Sequence, residues 1–186
     1  MVRKRRRKKN AILNQKTKLV LFGLVILIIL RQYFIIIVLM LVFTILGTAT
    51  LRITRFVPHI SIETVSASAI LFGYVWGWKI GLIFGFGAGM FGTIYNGFLK
   101  LTTMVNAMFM GVCGIFGAIF ASLGFSFWWA FLLTYIVRAN LGFFVFQLIK
   151  PDLLENVIHS YGDALFNVLI VSQIMAAIYR LILPIA

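Results

Sequence analysis

The chain has 186 residues, 62% of them from AVILMFWYC, and a mean hydropathy of +1.07; only 11% are charged, yet the formal net charge is +13. A soluble domain carries about a quarter charged residues, so this surface is too apolar for water, and the same composition excludes intrinsic disorder. One cysteine, Cys113, excludes a disulfide framework and a thiolate zinc cluster. The remaining class is an all-α integral membrane protein in one compact domain.

The basic charge sits at the start. Arg3 to Lys9, Lys16 and Lys18 supply nine of the 17 basic residues, and the other eight, against four acids, leave +4 for everything after residue 18. No aromatic residue interleaves them to stack on bases, so residues 1–18 read as a lipid-facing cytoplasmic tail without a nucleic-acid role. The apolar run 19–30 is too short to cross a bilayer, which takes about 20 residues. Residues 19–33 therefore form an interfacial segment, or an extension of the next helix kinked near Arg31.

Six full spans follow, at 34–51, 62–77, 80–98, 102–123, 125–149 and 163–183, giving a six-transmembrane-helix bundle over residues 34–186. Trp78-Lys79, Leu99-Lys100 and Gly124 mark short turns, whereas RITRFVPHIS (52–61) and KPDLLENVIHSYG (150–162) form longer connections. Pro151 and the acids after it favour a short helix start in the second of these. An even number of spans puts both termini on one side, and the basic tail makes that side cytoplasmic. All four acids, Glu63, Asp152, Glu155 and Asp163, then lie toward the outside of the cell membrane.

Lipid gives helices no hydrophobic reason to associate, so close packing relies on small residues. Gly81, Gly85 and Gly89 repeat at four-residue spacing in the third span; Ala107/Gly111, Gly114/Ala118 and Gly117/Ala121 do so in the fourth. These two spans are expected to pack tightly at the centre of the bundle.

An ionisable residue inside a span demands a reason. Arg138 falls midway along the fifth span, with Asn140 two residues on; it serves either a ligand or a structural ion pair. Asp163 and Asn167, four apart, share a helix face, and Glu63 follows His59 by four. Arg52, Arg55, His59, Glu63, Arg138, Asn140, Asp163 and Asn167 can thus surround one outer cavity suited to a small polar or zwitterionic solute. Ordinary interfacial polarity accounts for many of the same residues. Glu155, His159 and Asp163 also repeat every four residues, but no second histidine is near enough to make a metal face. There is no H-E-x-x-H, G-x-S-x-G or P-loop, so neither an enzymatic role nor a cofactor is expected.

The segment LGTATLRITRFVPHISIETVSASAILFGYVWGWKIGLIFGFGAG (46–89) runs from a helix through a proline-containing outer loop to a helix that starts at an acid, ends at a glycine turn and leads into a Gly-rich helix. In this order it resembles the substrate-binding S components of energy-coupling factor (ECF) transporters, over roughly residues 34–183. The resemblance implies uptake of a vitamin-like micronutrient, with a coupling transmembrane subunit and ATPases as partners. It places the solute near Arg55, Pro58, His59 and Glu63 of the first loop and Asn106, Arg138, Asn140, Asp163 and Asn167 of the later helices. Trp78 stands where the family's glycine turn often has proline, and FIIIVLMLVFT (34–44) lacks the family's A-x-x-x-A docking stripe. The alternative is a non-transporting membrane scaffold of the rod-shape-determining MreD type, similar in size and helix count.

Overall fold

The computed structural model describes residues 2–53 and 62–185 and is helical almost throughout. Its elements are α1 (Val2–Ile53), α2 (Thr64–Trp76), α3 (Trp78–Tyr95), α4 (Leu101–Ser122), α5 (Phe127–Ile149) and α6 (Leu153–Ile182), closed by a 3₁₀ turn at Leu183–Ile185. Two π-helical turns, Ile158–Gly162 and Asn167–Val171, interrupt the α-helical winding of α6. The chain divides into two compact units, Met1–Leu39 and Met40–Ala186. The first is helix alone, and between Val20 and Ile26 it exposes Val20, Leu21, Phe22, Leu24, Val25 and Ile26. Apolar side chains on every face suit lipid and not water.

The chain is an α-helical membrane protein, but the expected six spans are corrected by the helix lengths. Among the described residues four helical segments are long and apolar enough to cross a bilayer: Tyr33–Ile53, Leu101–Ser122, Phe127–Ile149 and Leu153–Ile182. α2 has 13 residues, a rise of about 20 Å against a hydrocarbon core of about 30 Å. α3 has 18, diluted by five glycines and opened by Trp78 and Lys79. The last helix also begins ten residues before the expected position 163, because Asp152 caps it: the Asp152 carboxylate accepts the Glu155 N–H at 3.0 Å.

Within the second unit α2 is the core. Every residue from Val65 to Gly73 is buried, which suits a helix apolar on all sides and enclosed by neighbours. α3 and α4 pack on it through glycine. A Cβ on Gly114 would lie 2.2 Å from the Gly81 carbonyl carbon, and one on Gly81 would lie 2.7 Å from Gly73 Cα. The last turns of α1 close another side, with Phe43 edge-on to Phe72 and Leu51 and Thr48 over Gly92.

Gly77 turns the chain from α2 into α3 at φ 92° and ψ 168°, a conformation essentially reserved for glycine. A Cβ there would meet nothing within 4 Å, so Gly77→Ala carries a backbone penalty alone. It is expected to destabilise the protein by about 1–3 kcal/mol, read as a lowered unfolding midpoint in detergent micelles. An unchanged midpoint would mean that the turn can adopt another conformation.

The bundle has two chemically distinct ends. At one, Tyr74 of α2 meets Phe127 of α5 and Tyr179 of α6, and its hydroxyl donates to the Phe125 carbonyl at 3.0 Å. The opposite half holds the start of α2, the α3–α4 and α5–α6 connections, and all four acids.

Candidate functional site

Because α2 is short, its first residue does not reach the end of the bundle. Glu63, its N-cap, is 2% exposed and faces the midpoint of α5. There Arg138 Nη2 donates to Glu63 Oε1 at 2.5 Å and to Asn106 Oδ1 of α4 at 2.9 Å. The other carboxylate oxygen, Oε2, accepts the Ser66 hydroxyl at 2.8 Å. The Glu63 backbone N–H donates to Asn167 Oδ1 of α6 at 3.0 Å, and Asn167 Nδ2 donates to the Asp163 carbonyl at 2.7 Å. Tyr135, one turn before Arg138, sends its hydroxyl toward the Glu63 carbonyl at 3.4 Å and lies under the guanidinium, 5.8 Å from ring centre to Cζ. Four helices therefore meet around one buried residue, Glu63, and its partner Arg138. Burying such a charge is tolerable only with a partner and with its remaining lone pairs satisfied, and here both conditions hold.

Asp163 is buried to 1% exposure, and its Oδ2 lies 2.9 Å from Nδ1 of His159, one turn earlier. Since His159 is half exposed, this second pair links the buried centre to the surface. Nearer the rim, Lys150 and Glu155 form an exposed pair. The hydrogen bond it donates to Glu155 holds the Lys150 ammonium above the ordinary lysine range.

These helices leave two spaces. An open groove of about 730 Å³ is lined by the polar and charged residues Lys100, Thr102, Asn106, Glu155, Asn156 and His159, with Leu101 and Phe146 supplying apolar wall. Beneath it a cavity of about 10 Å³, enough for one water-sized group, is walled by Arg138, Ser160, Ala139, Gly142 and Phe109. Asn106, Phe146 and His159 line both spaces, so the cavity lies at the foot of the groove.

The structure thus brings together Glu63, Asn106, Arg138, Asp163 and Asn167 from the expected set. Asn140 is corrected away from it: two helical residues turn the side chain by about 200°, and Asn140 is exposed, donating to the Ile136 carbonyl and accepting from the Tyr161 hydroxyl. Arg55 and His59 lie outside the described residues. The sequence reading missed Ser66, Tyr135, Asn156 and Ser160. Tyr135 and Ser66 lie three residues from Arg138 and Glu63 on the same helix faces, a signal that was legible. Asn156 and Ser160 fell in the stretch read as a connection. The expected outer cavity around these residues is also corrected in its depth: Glu63 is engaged by both Arg138 and Asn167, and the open volume lies above them.

Glu155 and Asp163 turn to different partners, Lys150 and His159 respectively, and among the described residues no three metal-ligating side chains gather. Comparison with known protein families, with characterised proteins and with solved structures gives no match to this chain.

Proposed function

We propose that this protein is a membrane-embedded subunit that captures a small polar solute for uptake, in the manner of an ECF S component, and is energised by a coupling transmembrane subunit and partner ATPases. In this reading the helices lie in the cell membrane, both termini face the cytoplasm, and the acidic half opens outward. The observation that carries it is the groove. At about 730 Å³ it falls within the range of small-molecule sites, about 300–1,000 Å³, and it combines apolar wall with a few convergent polar groups. The solute sits against Lys100, Asn106, Asn156 and His159, while the Glu63–Arg138 pair forms the rigid floor.

A second reading has its own observation. Arg138 spends its guanidinium on Glu63 and Asn106, as a structural residue in a non-transporting scaffold of the MreD type would. The two separate experimentally. Protein purified from its own membranes in mild detergent is denatured, and the released small molecules are identified by mass spectrometry. The solute reading expects a stoichiometric small molecule and co-purifying ATPases. Recovery of cell-wall synthesis or cytoskeletal proteins, with neither solute nor ATPase, would sink it in favour of the scaffold.

A further inference from the structure

The foot of the groove contains two buried polar atoms without partners among the described residues. Among the described residues Arg138 Nε and Ser160 Oγ find no hydrogen-bond partner, although their residues are only 9% and 5% exposed. Both residues wall the 10 Å³ cavity. A buried donor without an acceptor is costly and rare in folded proteins, so two that wall one small space mark a place for an acceptor. Nη2 of the same guanidinium is already held by Glu63 and Asn106, which fixes the direction in which Nε–H can donate.

Charge in the groove points the same way. Of its charged lining residues, Lys150 is paired with Glu155 and His159 with Asp163. Deeper, Arg138 is paired with Glu63. Lys100 lines the groove with no ion-pair partner among the described residues. Asp152, the remaining acid, stands outside the lining and caps its own helix. One cation is thus left over, which matches a carboxylate more closely than a phosphate monoester carrying a charge of about −1.5 to −2. Leu101, Phe146 and Phe109 offer the ligand an apolar body contact.

We infer that the groove and the cavity beneath it form one site for a small monocarboxylate with an apolar or aromatic body. One oxygen of the ligand accepts from Arg138 Nε–H and the Ser160 hydroxyl, and its charge is balanced by Lys100. This assignment rests on the solute-capture reading and narrows it to a chemical class.

The test uses the full chain in lipid nanodiscs and titrates benzoate, nicotinate and indole-3-acetate, each beside its primary amide, by calorimetry. At least one acid is expected to bind, with its amide about tenfold weaker or worse, since hydrogen bonds to a charged acceptor are stronger than those to a neutral one and the amide brings no charge for Lys100 to balance. Ser160→Ala and Lys100→Gln, which leave the Glu63–Arg138 pair in place, are each expected to weaken the acid severalfold. Equal binding of acid and amide, acid binding indifferent to both substitutions, or no binding by any acid would each overturn the assignment. A neutral or cationic solute released from the purified protein would overturn it while leaving solute capture standing. No released solute and no bound probe would remove both.

Discussion

Arg138→Met is expected to destabilise the protein by about 3–5 kcal/mol, the cost of stranding a buried charge whose partner has been removed. The variant leaves Glu63 at 2% exposure with only the Ser66 hydroxyl on its side chain. It also strips Asn106 Oδ1 of its donor. The double variant Glu63→Gln/Arg138→Met is expected to recover most of that loss. Replacing both members of a buried pair by groups of similar volume is often close to neutral, whereas removing one is not. The measurement is reversible unfolding in mixed micelles, carried through a double-mutant cycle. A loss below about 1 kcal/mol, the scale of a solvent-exposed ion pair in general, would mean that water reaches Glu63 and that the floor of the groove is not closed.

That pair also explains why α2 is short. A helix entering a bundle at mid-depth presents unpaired backbone N–H groups where no water satisfies them. Here the first is met by the Asn167 side chain, and the Glu63 carboxylate supplies negative charge to the positive end of the helix. Two π-turns in α6 stand where that helix must meet this site: Ser160 falls within one and Asn167 opens the other, with Asp163 between them. Such turns change the angular spacing of side chains and recur at functional sites. Along α6 they accompany an inward file of Asn156, Ser160, Asp163 and Asn167.

The members of this cluster were legible to different degrees, for physical reasons. Arg138, Asp163 and Asn167 stood out because a charged or amide group in an apolar run has to be paired or functional. Which groups pair was not legible. Glu63 and Arg138 are 75 residues apart, and the contact depends on how deep α2 begins, which hydropathy does not report. Asn140 misled because proximity in sequence was read as proximity in space, although two residues along a helix point to nearly opposite sides. The span count failed at α2 and α3 for a related cause. Their apolar content fits a membrane segment, but their lengths and glycines fit packing against protein. Pro151 and the acids after it marked the helix start that the Asp152 cap makes at Leu153, but not that this helix runs on into the last span.

The glycine contact among α2, α3 and α4 carries the other large expectation. A Cβ on Gly114 would stand 2.2 Å from the carbonyl carbon and 2.4 Å from the carbonyl oxygen of Gly81, and one on Gly73 would stand 1.9 Å from the Gly114 oxygen. The obstructing atoms are backbone, so no side chain can rotate away, and the helices themselves must separate. Gly114→Ala is therefore expected to cost at least about 1–3 kcal/mol, the usual penalty for overpacking, despite the better helix propensity of alanine. Gly87→Ala in α3 is the control. No atom lies within 4 Å of a Cβ there, and relief of glycine's entropy is expected to stabilise by about 0.5–1 kcal/mol. Opposite signs for the two substitutions, read as unfolding midpoints in the same micelles, would establish backbone contact as the cause. Equal effects would mean that α4 does not approach α3 this closely. The outcome bears on the groove as well, because α4 carries Asn106 and is capped by Lys100, and α2 is capped by Glu63. A widened α2–α4 seam should weaken any groove ligand in Gly114→Ala and leave its affinity unchanged in Gly87→Ala.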